Sequence, residues 1–468
     1  MRTSALQYLY LQKPISSIIL ICLLSVIPWI LNGVYTAEDI KNTEVATTIL
    51  ESGNWVLPEM NSGKTVIQPP MLHWLIAICS LPQGHVSVFS THIPSAVAYV
   101  VLMVFVLLFF GRHIRFQETF ITTLLLITSL EVHWAGITLG GNIIYTAFVV
   151  IGLFKMFRWE NKLELKGLPI IIPIMLSGAI LTKGFAGIVY PLLIFGFYLF
   201  FLHKYSLFKI LKVLFYVGLT SLFVPTIWYV EGWRQGGAEF LQLSLLEDIR
   251  SLINVEDFRK LFSPIIGFLP WTLLLFCSLF GLNKNDFIST SLIEKDEEEI
   301  HTRRKIKLFS SIAAIAFVFL TFLSGKSSFS DFLPAYPFIA VFMAMYVIYL
   351  TENKSYVIRI FAGILSTIVC LTIVVIVLML TNLIDFTHLV SSYFPGSDLE
   401  AIKLLENAVS FKNLMFIILF VLMLISLITT CYQMMKKINL KILYATIFLI
   451  FCSYLFIDGI IMGNMLHL

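Results

Sequence analysis

Apolar runs separated by short polar breaks cover most of the chain, and many of them run longer than a core helix of a water-soluble domain. A helix of about 17 to 25 apolar residues crosses the hydrocarbon of a bilayer. On that measure the pattern predicts spans near 15–34, 94–111, 117–134, 142–157, 168–182, 185–202, 212–230, 265–282, 308–324, 334–350, 358–381, 413–433 and 441–461. Lys183-Gly184 alone separates the fifth from the sixth, and the third and fourth are nearly continuous. The first run, Ile15 to Leu31, follows Arg2 and Lys13 and precedes no small-x-small cleavage site. It reads as an uncleaved span and not as a signal peptide. The expectation is an all-α polytopic membrane protein with about thirteen spans.

Polar positions give the orientation. With the N-terminus inside, alternate connections collect Arg112, Arg115, Lys155, Arg158, Lys162, Lys166, Lys204, Lys209, Lys212, Arg303, Arg304, Lys305, Lys354, Arg359, Lys436, Lys437 and Lys441. The first outer loop, 37–93, holds only Lys41 and Lys64. This asymmetry is what the positive-inside rule requires. Further outer segments lie at 231–264 and 382–412, and the inner segment 283–307 reads as a solvated connector. Residues 1–468 are taken as a single transmembrane domain, so any chemistry must come from the outer loops and span ends.

Composition sharpens this picture. Hydrophobic residues make up 58% of the chain and charged residues 13%, about half the charged share of a soluble domain. Mean hydropathy is +0.90. A net charge of +4 gives no footprint for nucleic acid. The six cysteines sit in or beside apolar runs with no CxxC pair, so they read as packing residues.

Candidate chemistry concentrates in the first outer loop. Thr36-Ala37-Glu38-Asp39 has the form of a helix start, with Gly53 as the stop after Ser52. Glu38 and Asp39 then occupy a first turn, where free N–H groups favour carboxylates; they serve equally well as plain capping acids. Lys41 and Glu44 share that helix. Beyond Gln68-Pro69-Pro70, the stretch Met71-Leu72-His73-Trp74-Leu75-Ile76 is too short to span and reads as an interfacial helix with Trp74 as its anchor.

The ordered set Glu38-Asp39-x-Lys41-x-x-Glu44, Ser52-Gly53-Asn54-Trp55 and Gln68-Pro69-Pro70 resembles the first periplasmic loop of the PMT/ArnT-like glycosyltransferases. Leu181-Thr182-Lys183-Gly184, Glu239-Phe240 with Glu247 to Arg250, Phe268-Leu269-Pro270-Trp271-Thr272, and Lys326 with Phe332 to Pro337 extend the resemblance along the chain. Glu38-Asp39 reverses the order of the family's leading acids, and Gln68 stands where the family has a lysine. The resemblance implies a GT-C-like helical bundle with interfacial helices in the first outer loop. It also implies glycosyl transfer from a polyprenyl-phosphate sugar to an envelope glycolipid (lipid A among them), glycan or protein hydroxyl, with the catalytic carboxylate at Glu38. The residues alone do not choose between Glu38 and Asp39.

Such chemistry needs a base or an orienting carboxylate for the acceptor, and cations or N–H donors for the departing phosphate. Lys41, Lys183, Arg250 and Lys326, with Gln68 as a neutral donor, and Glu44 and Tyr336, are the substrate-binding candidates. A divalent cation could bridge acid and phosphate, but no metal-ligand motif is present. No Walker A or dinucleotide-binding glycine run supports direct use of a nucleotide. A transporter or lipid flippase is the rival reading, and it calls for inverted repeats and polar groups meeting at mid-membrane.

Glu38→Gln and Asp39→Asn are expected to insert and fold normally. At least one should lose about a hundredfold or more in transfer rate, measured in membranes as product per amount of folded protein.

Overall fold

The computed structural model describes residues 2–32, 37–60, 63, 65–161, 163–246, 249–250, 252, 260, 262–279, 297–324, 329–353, 355–381 and 414–465. Regular structure among them is helical: α1 (Arg2–Asn32), α2 (Ala37–Ser52), α3 (Met71–Ser80), α4 (Val88–Phe110), α5 (Phe116–Ile127), α6 (Leu130–Ile137), α7 (Gly141–Trp159), α8 (Ile171–Lys183), α9 (Ala186–Phe201), α10 (Leu207–Ser221) and α11 (Phe223–Leu241). There follow α12 (Ser263–Gly267), α13 (Trp271–Leu279), α14 (Glu297–Leu323), a 3-10 segment (Phe329–Ala335), α15 (Tyr336–Asn353), α16 (Ser355–Leu380), α17 (Leu414–Lys436) and α18 (Asn439–Met465).

Eight of the described helices are long and apolar enough to cross a membrane, and α5–α6 and α10–α11 qualify only as bent pairs. The chain is a multi-pass membrane protein. The spans read at 168–182 and 185–202 correspond to α8 and α9, which are 13 and 16 residues long. Each is shorter than a straight crossing needs.

Local chemistry explains the breaks. Between α5 and α6 the chain turns by 65°. There the hydroxyls of Thr128 and Ser129 donate to the carbonyls of Leu124 and Leu126 (2.7 and 2.8 Å), and Leu130 N–H donates to Leu269 O at 2.8 Å. Side-chain donors thus compete with the helical ladder. The 51° bend between α10 and α11 lies four residues ahead of Pro225 at its near edge. Proline has no N–H for the carbonyl four positions back. That carbonyl, Ser221 O, instead accepts from Ser177 Oγ on α8 at 2.7 Å. Gly184, at φ +61°, ends α8 and reverses the chain into α9, as the Lys183-Gly184 break predicted.

Two compact units make up the chain. The larger comprises residues 1–31, 35–269 and 293–344, and the smaller comprises 32–34, 270–292 and 345–468. In the smaller unit α16, α17 and α18 pack through Val369, Ile376, Phe416, Met423, Leu449 and Phe456. In the larger, α4, α7 and α14 meet at Phe109, Phe154, Phe157 and Phe309.

Sequence and structure differ at two connections. The described part of the 283–307 connector, from Glu297, belongs to α14. Two of its cations are not solvated, because buried carboxylates lie within reach. Arg303 pairs with Glu118 at 2.5 Å, and Lys305 pairs with Glu160 at 3.1 Å. Glu160 also accepts from Lys204 and from Tyr205 Oη, at 3.1 and 3.0 Å. The second outer segment, read as a loop from 231, begins as helix. Here α11 continues to Leu241 through a kink at Gly237, where Phe240 turns back against Trp228 with centroids 5.3 Å apart.

Burial works to raise the Glu160 pKa, but bonds from Lys204, Lys305 and Tyr205 outweigh it and hold the carboxyl below the usual carboxylate range. A depressed folded-state pKa adds stability above the unfolded-state value, and that stability is lost as pH falls through the folded-state value. Glu160→Gln should therefore lower the melting temperature near neutral pH and flatten its fall in acid. The loss should be on the order of 2 kcal/mol, less than for a fully buried pair because Lys204 is half exposed. Thermal unfolding in detergent across pH measures both effects.

Candidate functional site

The segment read as the first outer loop folds into a cap built on hydrogen bonds. Asn54 Oδ1 accepts from the N–H groups of Val56 and Leu57 (3.1 and 3.2 Å), and its Nδ2 donates to Leu57 O at 2.9 Å. This is the side-chain turn that Asn favours. Two indoles pin the turn: Trp74 Nε1 donates to Trp55 O at 2.6 Å, and Trp228 Nε1 donates to Val56 O at 3.3 Å. Trp74 also packs with Val45, Ile49 and Ala77. It is therefore an internal tie between α2 and α3 rather than the headgroup anchor read from the sequence, because its one donor is taken by the protein.

The cap rests on the ends of the bundle. Ala46 of α2, Ile76 of α3 and Leu139, between α6 and α7, share one apolar cluster. Leu57, Leu181, Trp228 and Phe240 form another. Leu72 of α3 and Thr182 of α8 both flank Gly141, the first residue of α7. The cap thus covers the ends of α7 and α8 where Asn142 and Lys183 lie.

Asp39 lies in the first turn of α2 and is buried, 4% exposed. Free N–H groups at a helix start favour a charged carboxylate. His92 of α4 shares its electrostatic environment. Farther along α2, Asn42 Oδ1 pairs with His73 Nε2 at 3.1 Å. Burial lowers the His73 pKa to about 4, so this imidazole is neutral near pH 7 and ties α3 to α2. Glu38 lies on the same turn as Asp39, but its side chain, like Thr36 and Lys326, is outside the described residues. Lys41, Gln68 and Arg250 are exposed, and Glu44 is half-buried.

A second polar cluster forms where α7, α8 and the 3-10 segment converge. Lys183 Nζ is paired with Asp331 Oδ1, and the two side chains are 27% and 13% exposed. Asn142 Nδ2 donates to Ser330 Oγ at 2.5 Å. The Lys183 ammonium stands 5.6 Å from the centre of the Tyr145 ring, close enough for cation–π attraction. Tyr145 Oη in turn donates to Ala186 O at 3.4 Å, and Tyr190 Oη donates to Leu320 O at 3.0 Å. Glu131 on α6 lies close enough to interact with Asp331. Tyr336 is fully buried, stacked on Phe268 at 5.7 Å, with its hydroxyl against Gly267. It therefore packs the wall behind Glu131.

Sequence reasoning singled out Lys183 and missed Asp331, Ser330 and Glu131. A signal was present in Asp331: an acid between Ser330 and Phe332, opening a span, is expensive unless paired. Among the described residues no three His, Cys, Asp or Glu side chains gather as metal ligands.

Known proteins resemble this chain in sequence and in fold. Residues 67–229, about a third of the chain, match the family model described as dolichyl-phosphate-mannose-protein mannosyltransferase. An uncharacterized protein of Aquifex aeolicus is 24% identical over 68% of this chain and 59% of its own length. The undecaprenyl phosphate-alpha-4-amino-4-deoxy-L-arabinose arabinosyl transferase of Shewanella sediminis is 23% identical over 71% of this chain and 59% of its own length. The chain thus spans about three fifths of these relatives. The crystal structure of ArnT from Cupriavidus metallidurans bound to undecaprenyl phosphate superposes with a TM-score of 0.68 at 14% identity, over 97% of this chain and 77% of that one. Its apo state gives a TM-score of 0.65 at 16% identity, over 90% and 72% of the two chains. The GT-C-like helical fold expected from the motifs is therefore present, and the resemblance to PMT/ArnT-like glycosyltransferases holds in both sequence and fold.

A Cβ on Gly187 of α9 would lie 2.4 Å from the backbone of Ala179 on α8. Gly187→Ala should force apart the hairpin that carries Lys183, destabilising the protein by about 1–3 kcal/mol. Gly152→Ala meets side chains at 3.4–3.5 Å, ordinary contact, and should be tolerated. Melting temperatures of both variants in detergent decide the point.

Proposed function

We propose that this protein transfers a glycosyl group from a polyprenyl-phosphate-linked sugar to an envelope acceptor at the outer face of the inner membrane, with its N-terminus in the cytoplasm. The supporting observation is the match of 97% of the chain to the fold of ArnT bound to undecaprenyl phosphate. In this reading the capped outer end of the bundle is where the donor's headgroup meets the acceptor.

The chemistry follows from the groups available. Cleavage at the anomeric carbon leaves a lipid phosphate whose negative charge grows in the transition state. A cation already facing that oxygen lowers the barrier. Lys183 is the described cation best placed for this task, because it lies beneath the cap and amid apolar helices. The acidic pair that starts α2, Glu38 and Asp39, orients the acceptor or takes the proton of its hydroxyl. Burial of Asp39 excludes competing water. The acceptor is a lipid A-like glycolipid, a glycan or a protein hydroxyl, and membrane lipids are the remaining partners.

Purified protein in proteoliposomes, given polyprenyl-phosphate sugar and envelope extract, should release polyprenyl phosphate and glycosylate one class of acceptor. Mass spectrometry of envelope glycolipids and glycoproteins from cells with and without the gene should show the same product. Lys183→Gln should slow transfer about a hundredfold or more. Identical glycolipid and glycoprotein spectra in the two strains, together with no donor turnover in vitro, would rule the proposal out.

A further inference from the structure

We propose that Asp331 is a positioning residue that occupies Lys183 in the empty site and hands it over to the donor's phosphate; this rests on the glycosyl-transfer reading above. The two groups are paired directly, yet neither is sealed away, for Lys183 keeps 27% and Asp331 13% of its side-chain surface. In the network around Glu160 the carboxylate keeps 1% of its surface, whereas here carboxylate and lysine both stay open, the lysine as an incoming anion needs.

The surrounding contacts hold both partners at this point whether or not the pair is intact. Asn142 holds Ser330, the neighbour of Asp331, at 2.5 Å. The Tyr145 ring lies beside the ammonium at 5.6 Å, and Tyr145 is fastened to Ala186 in turn. Lys183 itself closes α8 at the Gly184 turn. Its ammonium therefore lies where one anion can take the place of another. The donor's phosphodiester carries one negative charge, as the carboxylate does, and the released polyprenyl phosphate carries up to two, so the pull on Lys183 is strongest once the sugar has left.

Handing over Lys183 has a consequence for Asp331. The carboxylate loses a counter-charge and is left beside the phosphate, an anion like itself, with the acidic residue Glu131 also nearby. Phosphate binding must offset that repulsion, so the wild-type site binds lipid phosphate more weakly than Lys183 alone would allow. The same repulsion helps expel polyprenyl phosphate after transfer. A charged placeholder thus keeps the product from holding the site.

The placeholder role and a merely structural role predict opposite signs. Binding of undecaprenyl phosphate, with undecaprenol as the probe lacking the phosphate, is measured on the full-length protein in nanodiscs. Asp331→Asn should bind undecaprenyl phosphate about tenfold more tightly, leave undecaprenol unchanged, and lower kcat and KM together as product release slows. Lys183→Gln should abolish the preference for the phosphate. A structural role predicts equal or weaker binding in Asp331→Asn, and that result overturns the proposal. If Asp331→Asn does not fold, infrared difference spectra of the wild type on adding undecaprenyl phosphate take its place. A shift in an aspartate carboxylate band, absent in Lys183→Gln, is expected, and no shift overturns the proposal. Wild-type protein that does not prefer undecaprenyl phosphate to undecaprenol removes the lipid-phosphate reading as well. A wild-type preference with no gain in Asp331→Asn removes this inference alone.

Discussion

A charged side chain among membrane helices needs a partner, because neither lipid nor apolar packing solvates it. That requirement shapes both ends of the larger unit. At one end Lys183 closes α8 and meets Asp331 of the 3-10 segment. At the other, Glu118 and Glu160 collect Arg303, Lys305 and Lys204. Residues far apart in sequence are thereby brought to fixed places in a bundle whose core is largely Leu, Ile and Phe. Dispersion packing fills space, while the ion pairs choose which helix ends meet.

The two sets differ in what they leave open. Around Glu160 the carboxylate is satisfied three times over, and its low pKa reflects a closed network. Around Asp331 a second acid, Glu131, stands nearby, and the carboxylate keeps 13% of its surface where Glu160 keeps 1%. One arrangement fastens α14 to α5 and α7. The other stores an electrostatic tension beneath the cap, where the proposed chemistry needs an anion to come and go.

The cap shows how a polar loop can be positioned without a soluble domain. Asn54 folds the turn, two tryptophan N–H groups hold its carbonyls, and the His73–Asn42 pair ties the two loop helices together. Asp39 is consequently buried at a helix start rather than displayed on a mobile loop. Rigid placement of a carboxylate is worth more to transfer chemistry than its presence alone.

Much of this was legible along the chain. Apolar length predicted a helical membrane protein. The Lys183-Gly184 break predicted the turn between α8 and α9, and the start near Glu38 with the stop at Gly53 predicted α2. These are local matters, set by hydrogen bonding within a segment and by lipid around it. What tertiary structure decided was partnership. Trp74 looked like a membrane anchor until Trp55 took its donor. The basic connector looked solvated until two buried glutamates, 145 and 185 residues away, came within reach. Asp331 acquired meaning only when folding brought it to a lysine 148 residues earlier. Periodicity records which face of a helix is apolar, but it holds no information on which distant charge will be carried to it. In a bundle of nearly uniform apolar spans, that pairing is set by packing in three dimensions.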